Sequence, residues 1–171
     1  MDKPAEAISI EHAKQDKLFY CVVTVIPFRE SDEKVLLLKR SETEKAHPDK
    51  WAIPGGKVEW QDIDLERPDE INGTVLDYHH TFDEVGAREL FEESAQVVKG
   101  EMVFNDYKLY IRPDGIPTIL VQFITKVEED QEVILEEGAF TDYAWVSEEE
   151  IDSYDCVKGI KEEVRSAMQK I

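Results

Sequence analysis

The chain has 171 residues, 42% of them hydrophobic, and its 20 basic against 39 acidic side chains leave a net charge of −19. That length suits one compact domain, and no stretch approaches the roughly 20 apolar residues of a membrane span. A field of this sign repels a polyphosphate backbone and an anionic bilayer, which argues against nucleic acid and membrane as partners; a small phosphorylated ligand would need a divalent cation to screen the contact.

Residues 1–16 read as a polar arm and 17–171 as a single domain, for which a homodimer is permitted. The N-terminal residues lack the apolar core of a secretory signal. Only Cys21 and Cys156 are present, neither in a C-x-x-C pair; Cys21 reads as a buried thiol, and a cytoplasmic setting is expected. Residues 18–28 (LFYCVVTVIPF) and 34–40 (KVLLLKR) are rich in β-branched and aliphatic side chains and read as a hairpin across the charged turn 29–33. After the loop 41–50, Trp51-Ala52-Ile53-Pro54-Gly55-Gly56 reads as a short strand broken by Pro-Gly-Gly. Residues 57–80 show no clean period and contain Pro68 and Asn72-Gly73, so a long surface loop is expected, with an insertion at about 60–80.

A helix is predicted from Thr81, opened by the capping box Thr81-x-x-Glu84, to about Val98. Residues 102–112 and 116–127 read as strands joined by the turn Pro113-Asp114-Gly115, and 140–146 as a short strand. Ser147-x-x-Glu150 is a second capping box, ahead of helical material over 157–171. This order points to an α/β sandwich around a mixed sheet.

The chemistry concentrates in Arg88-Glu89-Leu90-Phe91-Glu92-Glu93. At helical spacing Glu89, Glu92 and Glu93 share an arc of roughly 100°, with Ala87, Leu90, Phe91 and Val98 nearly opposite. Crowded carboxylates repel one another, and a hard divalent cation, Mg2+ or Mn2+ in its place, turns that repulsion into coordination. Arg88 reaches Glu92 at i+4 and Glu84 at i−4, where it can orient a carboxylate.

This hexapeptide and the upstream Trp51-Ala52-Ile53-Pro54-Gly55-Gly56-Lys57-Val58-Glu59 together resemble the Nudix box, G-x5-E-x7-R-E-U-x-E-E-x-G-U, with U a bulky aliphatic. Gly56 matches the first glycine and Arg88 to Glu93 the R-E-U-x-E-E core. Three departures stand out. Asp62 takes the place of the first glutamate, 25 residues lie between it and Arg88 instead of seven (88 − 62 − 1), and Ala95-Gln96 replaces the final glycine and aliphatic.

The resemblance implies an α/β/α sandwich around a mixed β-sheet and a magnesium-dependent pyrophosphohydrolase acting on a nucleotide-like small molecule. It places Glu89, Glu92, Glu93 and the Gly55 carbonyl on the metal, with Glu93 and Arg88 in the catalytic group. A further acid is expected in the loop before the last strand, where Glu137 is favoured over Glu136. Lys57 and Arg112 are candidates for phosphate or plain surface charge. Trp60, Tyr78 and Tyr107 are candidates for base stacking, although packing of the long loop competes for Trp60; His79 and His80 read as exposed and passive. The alternative to an enzyme is a non-catalytic nucleotide-binding module on the same scaffold.

Overall fold

The computed structural model describes residues 19–112 and 115–171; the predicted N-terminal arm, and Pro113 and Asp114 of the predicted turn, lie outside them. Among the described residues nine strands and two α-helices follow in the order β1 (Tyr20–Arg29), β2 (Lys34–Arg40), β3 (Trp51–Ala52), β4 (Gly55–Lys57), β5 (Glu70–Asn72), β6 (Val75–Asp77), α1 (Thr81–Ser94), β7 (Val98–Ile111), β8 (Pro117–Val127), β9 (Phe140–Val146) and α2 (Ile160–Met168). Short 3-10 turns occupy Trp60–Asp62 and Ile151–Ser153.

The main sheet runs β3-β2-β1-β8-β7, with β4 added to β1 and β9 to β2. Strands β1 and β8 pair in parallel, from Tyr20↔Thr118 to Phe28↔Lys126, and the other strand pairs of this sheet among the described residues are antiparallel, so the sheet is mixed as expected. Side chains of β1 alternate between the two faces. Val23 and Val25 pack with Val85 and Leu90 of α1, whereas Ile26 packs with Ile160 and Val164 of α2. The two helices therefore cover opposite faces, giving the α/β/α sandwich. Gly86 lets α1 lie close, since a Cβ there would meet Val25 Cγ2 at 3.0 Å. Under α2, buried Gln122 accepts from Asn105 (2.6 Å) and donates to Glu163 (2.8 Å), tying the helix to β7 and β8. Among the described residues no helix is long and apolar enough to cross a membrane.

Several expectations are corrected. The stretch 57–80 is not a featureless loop: it carries a 3-10 turn and the β5–β6 hairpin, paired Glu70↔Asp77 to Asn72↔Val75. Its turn needs Gly73 in the left-handed region (φ 67°), which is why Asn72-Gly73 breaks the pattern. The first capping box does not form. Thr81 is already helical, and His80 takes the N-cap with φ 60° and no side-chain cap bond. The second box does form, with Ser147 N–H on Glu150 Oε2 (3.0 Å) and Glu150 N–H on Ser147 Oγ (3.3 Å), but it precedes a 3-10 turn. Helix α1 stops at Ser94, because Ala95 itself adopts φ 56° and its amide bonds Phe91 O at 2.7 Å; Val98 belongs to β7. Phe91, expected on the packed face, is 57% exposed, while the buried stripe holds Val85, Gly86, Leu90, Glu93 and Ser94.

Candidate functional site

The site forms where the Pro54-Gly55-Gly56 corner meets α1. Strand β4 lies beside β1 in the register Gly55↔Thr24 and Lys57↔Val22. At that distance a Cβ on Gly55 would fall 2.4 Å from Val23 O, and one on Gly56 would fall 2.2 Å from the Glu89 carboxylate. Gly55 is thus required by space against the strand backbone, whereas a Cβ at Gly56 would have to displace the Glu89 carboxylate. The Gly55 N–H donates to Glu93 Oε2 at 3.0 Å.

Glu93 is buried (8% exposed) and forms no ion pair among the described residues. Burial pushes its carboxyl up to about 8, with the Gly55 amide opposing and the charges of Glu89 and Glu136 adding to the rise. Glu89 is also raised, by burial first, against the pull of Arg88. An acid held out of water beside two other carboxylates is a candidate ligand for a hard cation.

Arg88 organises the remaining acids. Its Nε and Nη2 meet Asp62 Oδ1 and Oδ2 at 3.1 and 3.3 Å, and its Nη1 lies 2.9 Å from both Glu89 Oε1 and Glu92 Oε2. The Asp62 side chain is 8% exposed and also accepts the Glu59 N–H at 2.7 Å. Asp62 therefore keeps its partner despite the insertion, because the hairpin leaves and returns at nearly one point: Asp69 N–H bonds Asp77 O at 3.0 Å. Glu92 is half-exposed and turned to Arg88. Among the described residues no three His, Cys, Asp or Glu side chains are arranged to hold a metal ion. The structure brings Glu89 and Glu93 to the glycine corner, with Glu92 one Arg88 contact away. The donor chemistry still fits a hard cation: carboxylate oxygens around a buried acid with no ion-pair partner among the described residues.

Of the two loop acids, Glu136 is the one whose charge acts on Glu93, and its amide donates to Glu93 O at 3.3 Å. The neighbouring Ile134 N–H bonds Ser94 O at 3.1 Å, so the loop closes the C-terminal end of α1. Glu137 is exposed. Trp60 is 80% exposed, which overturns its packing role; Tyr78 holds the loop instead, donating to Asp64 O at 3.0 Å. Tyr107 is 70% exposed on β7, and His79 and His80 are exposed. Lys57 and Arg112 both stand over the Tyr20 ring. Cys21 is half-buried and its thiol is pushed up by burial. The Arg88–Asp62 fork and the coupling of Glu136 to Glu93 were not assigned from sequence; an acid at the family's first glutamate position was the available signal for the former.

A family model described as the NUDIX domain matches residues 20–166. A search of curated protein sequences finds no match. Among solved structures, the MutT protein from Methanosarcina mazei Go1 superposes with a TM-score of 0.63 at 23% identity, covering 91% of this chain and 96% of that one. The NUDIX domain of Shewanella oneidensis NrtR complexed with ADP ribose gives 0.68 at 15% identity (95% and 98%). A C. elegans Ap4A hydrolase gives 0.59 at 16% identity (86% and 93%). These identities establish likeness of fold.

Proposed function

This chain belongs to the Nudix family of pyrophosphohydrolases, and from that premise we propose that it hydrolyses the diphosphate linkage of a nucleoside diphosphate derivative or nucleoside triphosphate with magnesium. The observation that carries the reading is Glu93, an acid buried against the Gly55-Gly56 corner and pushed up to about 8. Glu89, Glu92, Glu93 and the Gly55 carbonyl would hold the ion, with Glu92 released from Arg88. A bound divalent cation supplies charge neutralisation of the phosphate oxygens and a lowered pKa for the attacking water.

The chain's own groups supply the rest. Arg88, fixed by Asp62, orients Glu89 and Glu92 and keeps its charge off the substrate. Glu136 takes the proton as the water oxygen bonds to phosphorus, and the P–O bond to the second phosphate breaks with its electron pair leaving on that phosphate. Glu136 replaces Glu137 in this role because its charge is the one felt at Glu93. The two free cysteines fit a reducing cytoplasm.

A magnesium-containing screen of nucleoside triphosphates, nucleoside diphosphate sugars and dinucleoside polyphosphates, followed by phosphate-product release, tests this. ADP ribose and Ap4A enter the panel because similar structures carry those names. Release from part of the panel, abolished by chelator and by Glu93→Gln, is expected. Saturable binding across the panel with no release would favour a binding module and refute the hydrolase.

A further inference from the structure

Among the described residues the path β3-β2-β1-β8-β7 ends on one side in the two-residue β3 and on the other in β7, 14 residues long. A long edge strand invites a further strand unless bulges, prolines or guarding charges blunt it. The first half of β7 is blunted, because its register with β8 shifts between Lys99 and Val103 and again between Phe104 and Asp106. From Asp106↔Gln122 to Ile111↔Pro117 the ladder is regular, and β7 contains no proline. Lys108, the cation of that run, is held by Glu163 of α2 and so does not guard the edge.

The ladder also fixes which backbone groups face outward. Arg112 N–H bonds Ile116 O at 3.1 Å, one position beyond Ile111↔Pro117. Bonded and non-bonded pairs alternate in an antiparallel ladder, so Tyr107, Leu109 and Ile111 aim their N–H and C=O away from β8. The Tyr107 amide bears this out, donating to Asp106 Oδ1 at 2.8 Å. The same three side chains are exposed and share one face, since Tyr107 pairs with Val121 and Leu109 with Ile119. Outward backbone groups and exposed apolar side chains therefore coincide.

Charge points to a second copy of this chain as the occupant. The chain carries −19, yet β7 sets Lys99 and Lys108 against Glu101 and Asp106, 2 − 2 = 0. Two copies meet there with the least repulsion, whereas a cationic partner is drawn to the acidic surfaces instead. In an antiparallel pair with its two-fold axis at Leu109, Tyr107 stands opposite Ile111, Lys108 opposite Tyr110 and Leu109 opposite itself. Every outward residue then meets an outward residue, each pair exchanging two hydrogen bonds, and the Tyr107 amide leaves Asp106 to do so. A slide of two residues sets Lys108 against Lys108 in one direction and against Arg112 in the other, and like charges destabilise a cross-strand pair. A slide of one residue turns the apolar face onto the polar one.

We propose that residues 107–111 of β7 are the interface of a homodimer, paired antiparallel about Leu109 so that the sheet runs on through both copies. The dimer does not depend on the hydrolase activity. So short a ladder falls below the roughly 20–30 residues a side of a standard interface, and a reversible dimer with Kd on the order of 10 µM is expected. Sedimentation velocity of the full chain from about 1 to 500 µM tests it on wild type, Leu109→Lys and the control Ile134→Lys. Leu109 and Ile134 are each 62% exposed, so neither change disturbs the core. Wild type and Ile134→Lys are expected to dimerise alike, and Leu109→Lys, with like charges on the axis, to associate at least roughly tenfold more weakly with an unchanged circular-dichroism spectrum. Amide hydrogen exchange over 106–112 should slow as the wild-type concentration rises. A wild-type chain that stays monomeric throughout, or a dimer indifferent to Leu109→Lys, overturns the proposal. Protection of 106–112 in a monomeric chain does so too, and would give the edge to residues 1–18 of the same chain.

Discussion

Replacing Glu93 by Gln gives a sharp test of whether this carboxyl is held out of water. The amide keeps an oxygen for the Gly55 N–H and removes the charge. In the fold the Glu93 carboxyl sits at about 8, against an ordinary value of 4.5. Because the folded value is the higher one, the neutral acid is what the fold favours. The associated stability is fully present below about pH 4.5, declines as pH rises, and is gone above about 8. A rise of this size corresponds to roughly 3–5 kcal/mol at alkaline pH, each unit being about 1.4 kcal/mol. Urea unfolding in chelator at half-unit steps from pH 5 to 9 would measure it. Glu93→Gln should match wild type near pH 5 and exceed it by about 3 kcal/mol or more at pH 9, a Tm gain on the order of 10 °C for a chain of this length. Groups common to both proteins cancel in the difference. Parallel curves across the range would refute a buried, uncompensated acid.

Other expectations follow from particular contacts. Ala95 holds φ 56°, where a Cβ is strained, so Ala95→Gly should stabilise by about 0.5–1 kcal/mol in thermal unfolding; loss of stability would contradict this account of how the helix ends. Asp62→Asn leaves Arg88 with a weakened fork at a carboxylate 8% exposed, and should cost about 1–3 kcal/mol in urea unfolding. Thr118→Val exchanges an unsatisfied buried hydroxyl for a methyl and should raise stability by about 1 kcal/mol. Replacing residues 70–76 by a short Gly-Ser turn should leave Tm within a few degrees, because Asp69 and Asp77 already meet through their backbones; collapse of the fold would show that the hairpin is structural.

Much of the architecture was legible from residue pattern. The apolar runs of β1, β2 and β8, and the spacing of Glu89, Glu92 and Glu93, carry their own periodicity, and the order of elements then dictates two helices on opposite faces of a mixed sheet. What escaped is what depends on distant partners. Ala95 looks like a residue that continues a helix, yet the chain turns there, and the loop 131–136 supplies amides to Glu93 O and Ser94 O. Gln96, where an aliphatic was expected, is 1% exposed and is satisfied by the carbonyls of Gln131 (3.5 Å) and Glu132 (3.3 Å). Local signals cannot announce such bonds, made across about 35 positions. Within the site the acids were legible by type and spacing, but their division was not. Glu93 is buried at the glycine corner and Glu92 is turned outward to Arg88, a split set by how α1 rolls on Val23 and Val25.

The central claim is that the carboxylates of α1 and the Gly55 corner capture one divalent ion. Electron paramagnetic resonance of free Mn2+ during titration into the metal-free protein measures that capture directly, with wild type compared against Glu93→Gln and the double change Glu89→Gln, Glu92→Gln. The account predicts one saturable Mn2+ site in wild type, displaced by magnesium and weakened in Glu93→Gln and in the double variant by about tenfold or more. Manganese uptake that is unchanged in both variants would place the ion elsewhere and contradict the account.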